Sequence, residues 1–228
     1  MLSWLPTWCP TSGSQLKDAE EKMLKRLLWC CCMVSEAGLP LGSNLDSLSS
    51  SGPVYCLDLL GFGRSSRPEF SSDPEGAEDQ FLSALEEWRE KVGLEEMVLL
   101  GHNLGGYLSA AYTLRYPNRS DAGPDDQWRE TAFSNMTIPY GWAKRPMQER
   151  IGQIQADIPI SFIYGSRSSI DSDSGYELKK TRPDVQITMI RGAGHYVFAD
   201  QPDDFNQTVL QILATTERES KEEETKQR

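Results

Sequence analysis

Met97-Val98-Leu99-Leu100-Gly101-His102-Asn103-Leu104-Gly105-Gly106 is a short apolar run that closes on a glycine-rich turn. The residues after it, Tyr107 to Tyr116, have the spacing of a helix that stops before Pro117. Strand, sharp turn and helix in that order, with glycines two residues before and two after position 103, is the pattern of the G-x-S-x-G nucleophile elbow. In such an elbow a strained backbone lifts one side chain clear above a sheet. Here that side chain is Asn103, in the place of a serine. A carboxamide has no ionisable proton for a histidine to remove and is a poor nucleophile, so the covalent acyl-enzyme route is closed.

The flanking sequence repeats the alternation of strand and helix. Val54 to Leu60 follows Pro53 and closes on Gly61-Phe62-Gly63, which suits a buried parallel strand ending in a tight loop. From Ala77 to Val92, Phe81, Leu82, Leu85 and Trp88 recur at helical spacing, and Gly93 stands where a helix stops. Ile160 to Tyr164 and Gln186 to Ile190 read as two further strands, and Asp203 to Ala214 as a terminal helix with Phe205, Val209 and Ile212 on one side. Strands alternating with helices imply an α/β fold with a mostly parallel sheet. Its core spans residues 53–119 and 158–216, with residues 120–157 between them.

On the N-terminal side, residues 37–52 are rich in Gly, Ser and Leu without a period and read as a connector. Residues 1–36 combine an exposed start carrying Trp4 and Trp8 with an amphipathic helix over 16–34, whose stripe is Leu16, Ala19, Met23, Leu27 and Cys31. Indole rings favour apolar–water boundaries, so Trp4 and Trp8 are candidate lipid anchors. At a membrane the Cys30-Cys31-Cys32 run would offer acylation sites; buried as part of a core helix it would not. Residues 217–228, ERESKEEETKQR, read as a solvated charged tail.

With 228 residues and 38% hydrophobic content, the chain suffices for one domain with a core. A formal net charge of −11 argues against nucleic acid, whose phosphates reward the clustered Lys and Arg that this chain lacks. Five cysteines without paired spacing fit a reducing compartment, and the uncharged, proline-interrupted start does not read as an export signal. The expected location is the cytoplasm.

His195 lies in Gly192-Ala193-Gly194-His195, after the last expected strand, where the chain order of elbow enzymes places the base. Asp171, in the loop after Ile160 to Tyr164, falls where the acid belongs, with Asp173 a close rival. Without a serine this pair is a vestigial triad. The same histidine opens an H-x-x-x-x-D spacing with Asp200, a gap that suits a general base and carboxylate for acyl transfer to a hydroxyl. Asp200 also suits a turn or helix cap before Gln201-Pro202. No phosphate-cradling glycine loop for coenzyme A is evident, and no metal or resident cofactor is expected.

Six blocks, WLPTWCPTS, DAEEKMLK, DLLGFGRSSRP, LLGHNLGG, ETAFSNMTIPYGWAKRPM and GAGHYVFADQP, together closely resemble the α/β-hydrolase-domain family in its lipid-droplet co-activator branch. The resemblance implies an α/β-hydrolase-like fold lacking the first strands, one central strand and most of the lid, whose remnant is residues 120–157. Between Met33 and Asn44 the family carries an H-G-x-G loop that supplies half of an oxyanion hole, and after Arg119 it carries a further core strand. It further implies a protein held on lipid droplets through Trp4 and Trp8, which binds perilipin and activates adipose triglyceride lipase without hydrolysing lipid. Arg167 and Gly194 match positions implicated in that activation. His195 and Asp200 match a motif behind a lysophosphatidic acid acyltransferase activity, which would take acyl-CoA as a substrate and make phosphatidic acid. A truncated product without function is the remaining alternative.

Overall fold

The computed structural model describes residues 30–34, 42–95, 97–117, 135–138 and 143–226. Strands β1 (Cys30–Val34), β2 (Val54–Asp58) and β3 (Leu99–Gly101) form one sheet in the order β2-β1-β3, and β4 (Ser161–Gly165) and β5 (Gln186–Ile190) form a second. The pairings of these five strands are all parallel: Cys30 lies opposite Val54, Met33 opposite Gly101, and Ser161 opposite Gln186. The connecting helices are α1 (Gly42–Leu48), α2 (Pro74–Val92), α3 (Leu104–Arg115), α4 (Asp173–Thr181), α5 (Val197–Asp200) and α6 (Pro202–Lys226). The parallel strands and flanking helices are the α/β architecture that the alternating pattern requires.

Three expectations are corrected. The helix read over residues 16–34 gives way to a strand at Cys30–Val34, which sits between β2 and β3 and pairs with both. CCCMV is a continuous apolar run of five, and a run that short has no period to separate helix from strand. Pairing with two neighbours decides it. The strand adds to those expected from the sequence, and Cys30, Cys31 and Cys32, the candidate acylation sites, lie in it at the centre of its sheet. Residues 1–29, with Trp4, Trp8 and the rest of that helix, lie outside the described residues. The connector over 37–52 contains α1, whose Asn44 and Leu48 are buried. The terminal helix also continues to Lys226, through most of the segment read as a tail.

Helix α2 begins and ends as its sequence dictates. Asp73 caps it by accepting the Gly76 N–H at 2.9 Å, Pro74 opens the first turn, and Gly93 ends it in the left-handed region at φ 77°. Its inner face, Ala77, Phe81, Leu82 and Leu85, packs on Leu104, Leu108, Ala111 and Tyr112 of α3. A second cluster joins Leu48 of α1, Ile190 of β5, Val197 and Phe198 of α5, and Phe205, Val209 and Leu213 of α6. Val98, Leu100 and Ile163 pack against that cluster, so β3 and β4 share a core although they do not pair.

Charge is buried in the first cluster. Arg89 donates to both oxygens of Glu86, Nε at 2.8 Å and Nη2 at 2.6 Å, and the Tyr112 hydroxyl donates to the same carboxylate. Burial, reinforced by Glu86, holds the Tyr112 phenol well above the usual tyrosine range. Replacing Tyr112 with Phe removes one donor to a buried carboxylate, an expected loss of about 1.5–3 kcal/mol measured by urea unfolding.

Candidate functional site

The functional geometry starts at Asn103, between β3 and α3. Its φ of 53° and ψ of −117° make it the single non-glycine residue at positive φ among the described residues. Such a conformation costs a side chain about 1–3 kcal/mol and persists only where its surroundings impose it. The surroundings here are glycines. A Cβ on Gly101 would lie 2.3 Å from the Gly105 backbone, so strand and helix meet at a distance that only hydrogen at position 101 permits. Gly105 N–H donates to the His102 carbonyl at 2.9 Å and Tyr107 N–H to that of Asn103 at 3.1 Å, which closes the turn into the helix. The Asn103 side chain is exposed and makes no capping hydrogen bond.

His195 follows β5 and reaches the same place. Its ring centroid stands 4.6 Å from that of His102, and the chain has no other histidine. Tyr196 and Phe198 each lie 5.3 Å from the His102 ring. Two imidazoles and two aromatic rings thus crowd beside the elbow. The sequence reading placed His195 here and missed the rest; the flanking positions of GHN and GHYVF were the signal that was available.

The expected carboxylates do not join them. Asp171 is exposed, and its Oδ1 accepts the Asp173 N–H at 3.1 Å in the turn that opens α4. Asp173 is the exposed first residue of that helix. Asp200 closes the H-x-x-x-x-D segment onto backbone: its Oδ2 accepts the Gly194 N–H at 2.7 Å. No hydrogen bond links His195 to Asp171 or Asp200 among the described residues. A Cβ on Gly194 would stand 2.9 Å from the same carboxylate oxygen, so this loop needs glycine there.

Arg167 and Gly194, distant in sequence, occupy one hydrogen-bonded surface. Arg167 N–H donates to the Ala193 carbonyl at 2.8 Å and its exposed Nε to the Gly192 carbonyl at 3.0 Å. Ser166 N–H binds the Ile190 carbonyl at 3.0 Å, and Gly192 N–H binds Ser166 Oγ at 2.9 Å. The loops that leave β4 and β5 are therefore welded into one rim beside His195.

A polar knot that the sequence reading did not find ties the 143–153 segment to the elbow helix. Glu78 of α2 is 3% exposed, which leaves its charge dependent on protein partners. Arg150 donates to both its oxygens at 2.9 and 2.8 Å, and Arg145 to one at 2.9 Å. The Tyr107 hydroxyl, one helical turn beyond Asn103, donates to Glu78 and accepts from Arg150 at 3.0 Å. Burial, with Glu78 alongside, lifts the Tyr107 phenol well above its ordinary range.

A strained turn after a parallel strand, with a histidine loop from the last strand beside it, defines an α/β-hydrolase-type protein, here with an amide at the nucleophile position. Comparison with known proteins agrees. The alpha/beta hydrolase fold family matches residues 38–122. A human relative, 1-acylglycerol-3-phosphate O-acyltransferase ABHD5, is 38% identical over 91% of this chain and 92% of its own length. The human (Lyso)-N-acylphosphatidylethanolamine lipase is 36% identical over 74% of this chain and 73% of its own. Among solved structures, Bacillus subtilis carboxylesterase CesB superposes with a TM-score of 0.63 at 16% identity, over 83% of this chain and 84% of that one. The chain belongs to the α/β-hydrolase family, in the lipid-metabolic branch that includes ABHD5. Its alignment to that relative runs over 320 residues, more than the 228 it possesses, consistent with missing blocks. Among the described residues, no helix is long and apolar enough to cross a membrane.

Proposed function

We propose that this chain is a non-hydrolytic co-activator of a triglyceride lipase, acting at the lipid-droplet surface to promote triacylglycerol breakdown. The observation that carries this reading is Asn103 at the apex of a fully built elbow. The scaffold retains the cost of holding that side chain up, while the side chain can neither attack an ester nor be deprotonated by His195. Arg167 and the Gly192-Ala193-Gly194 rim form the surface that would contact adipose triglyceride lipase. Trp4 and Trp8 would anchor the chain peripherally at the droplet, where perilipin is the expected second partner. No cofactor enters this reading.

The test adds purified chain to a triglyceride lipase on emulsified triacylglycerol and measures fatty acid release. Release rises with the wild-type chain. Arg167→Ala lowers the stimulation about tenfold, as truncation of an interface anchor does, while circular dichroism shows the chain still folded. Stimulation by Arg167→Ala equal to wild type would remove this surface from the account.

A second reading follows from the acyltransferase name that the ABHD5 relatives carry. In it His195 would serve as base for acyl transfer from acyl-CoA to lysophosphatidic acid. Asp200 gives this reading little help, because its Oδ2 accepts the Gly194 N–H and no hydrogen bond joins it to His195 among the described residues. His195→Ala separates the two: it abolishes acyl-CoA-dependent phosphatidic acid formation if the second reading holds, and leaves lipase stimulation intact under the first.

A further inference from the structure

Three of the five cysteines are brought to one face of one sheet, although no spacing in the sequence joins them. In β1, Cys30 stands at the register position opposite Val54, and Cys32 stands between Cys56 of β2 and Leu100 of β3. Residues opposite each other in a parallel ladder share a face, and successive residues of a strand alternate between faces. Val54 and Leu100 pack against the second core cluster, whereas Leu57 and Leu99 pack against the first. All three strands therefore agree on the assignment. Cys30, Cys32 and Cys56 lie on the face of the second cluster, and Cys31, opposite Tyr55 and Leu99, lies on the other.

We propose that Cys30, Cys32 and Cys56 form a binding site for a single thiophilic metal ion, monovalent copper. Cys32 is its corner: the Cys56 position lies about 4.8 Å away across the ladder, and that of Cys30 about 6.6 Å away along the strand. Sulfurs that share an ion at bond lengths of about 2.3 Å lie within about 4.6 Å of one another, a span that three cysteines so placed close around one ion. The chemistry of the set selects the ion. Thiolates prefer soft cations, and three sulfurs satisfy monovalent copper, whereas zinc in a closed protein site takes four ligands. Cys56 is exposed, which gives the ion an entry path. Each ligating thiol gives up its proton to the solvent, so binding strengthens as pH rises. A reducing compartment, which the cysteine usage fits, keeps both the thiols and the monovalent ion in the binding state.

Copper retention by the full chain, held reduced and without oxygen, tests this. Monovalent copper is titrated into the protein against a colorimetric copper chelator, and X-ray absorption at the copper edge reads the neighbours of the retained ion. One ion per chain with three sulfur neighbours is expected. Cys56→Ser, at an exposed position, is expected to lose that ion to the chelator, and Cys30→Ser and Cys32→Ser to do the same, with circular dichroism comparing the fold of each variant with the wild type. Cys31→Ser, at the intervening position of the same strand, is expected to keep it. A wild type that yields all its copper to the chelator would overturn the proposal. So would a Cys56→Ser chain that retains the ion, which would place the copper on the Cys30-Cys31-Cys32 run alone. Equal loss in Cys31→Ser would mean adventitious binding to thiols and would overturn it too.

Discussion

Gly101→Ala is expected to cost the chain at least about 3 kcal/mol, the upper end of overpacking costs in folded cores. The added methyl would stand 2.3 Å from the backbone carbon and oxygen of Gly105 and 2.4 Å from Gly106 N. A clash with a side chain can be relieved by a rotamer change, whereas this one meets the first turn of α3. Relief would mean sliding the helix off β3, which would also release the backbone that holds Asn103 at φ 53°. Against a typical domain stability of about 5–15 kcal/mol, such a loss consumes a large share. Urea unfolding measures it directly. A Gly101→Ala chain with an unchanged midpoint would mean that the elbow is not packed as described.

Glu78→Ala has the second large effect, and its direction comes from what remains. Removing the carboxylate leaves Arg145, Arg150 and the Tyr107 hydroxyl facing each other without their shared acceptor. Breaking a buried ion pair by deleting one partner costs about 3–5 kcal/mol, because the surviving charge keeps its desolvation penalty. Arg145 and Arg150 are 29% and 20% exposed, so water recovers part of this, and about 3 kcal/mol is the expected value. The segment over 143–153 should also lose protection, since Glu78 is the buried carboxylate that joins it to α2 and α3, with only the more exposed Glu75 holding Arg145 at 3.1 Å besides. Hydrogen exchange that rises there and stays unchanged in β5 is the expected pattern. Uniform change throughout the chain, or none, would deny Glu78 that role.

The elbow was legible in the sequence because its cause is local. Glycines at 101 and 105 and a helix-spaced run after them suffice to fix a strand, a turn and a helix, and the substitution at 103 is read directly. Helix α2 was legible for the same reason, with apolar residues at helical spacing and Gly93 at its end. Cys30–Val34 was not, because five apolar residues carry no period and the partners that make them a strand lie at 54–58 and 99–101. The knot around Glu78 joins residues up to 72 positions apart, a relation that no spacing records. Asp200 lies between these cases. Its gap to His195 is read directly from the sequence, yet only geometry shows the carboxylate of this last residue of α5 turned to Gly194 N–H.

The amide at the elbow is the centre of the account, and the chemistry around it sharpens the claim. Even a restored hydroxyl at 103 would find His195 without a carboxylate hydrogen bond: neither Asp171, whose Oδ1 accepts the Asp173 N–H, nor Asp200, whose Oδ2 accepts the Gly194 N–H, bonds to it among the described residues. The most direct measurement is covalent labelling of the full chain by a serine-directed fluorophosphonate, read by intact mass and peptide mapping, with Asn103→Ser beside the wild type. No adduct on the 99–107 peptide of the wild type, and at most slow labelling of Asn103→Ser, is the expected result. A stoichiometric adduct on the wild-type chain, or ester hydrolysis by it that the reagent abolishes, would contradict the account.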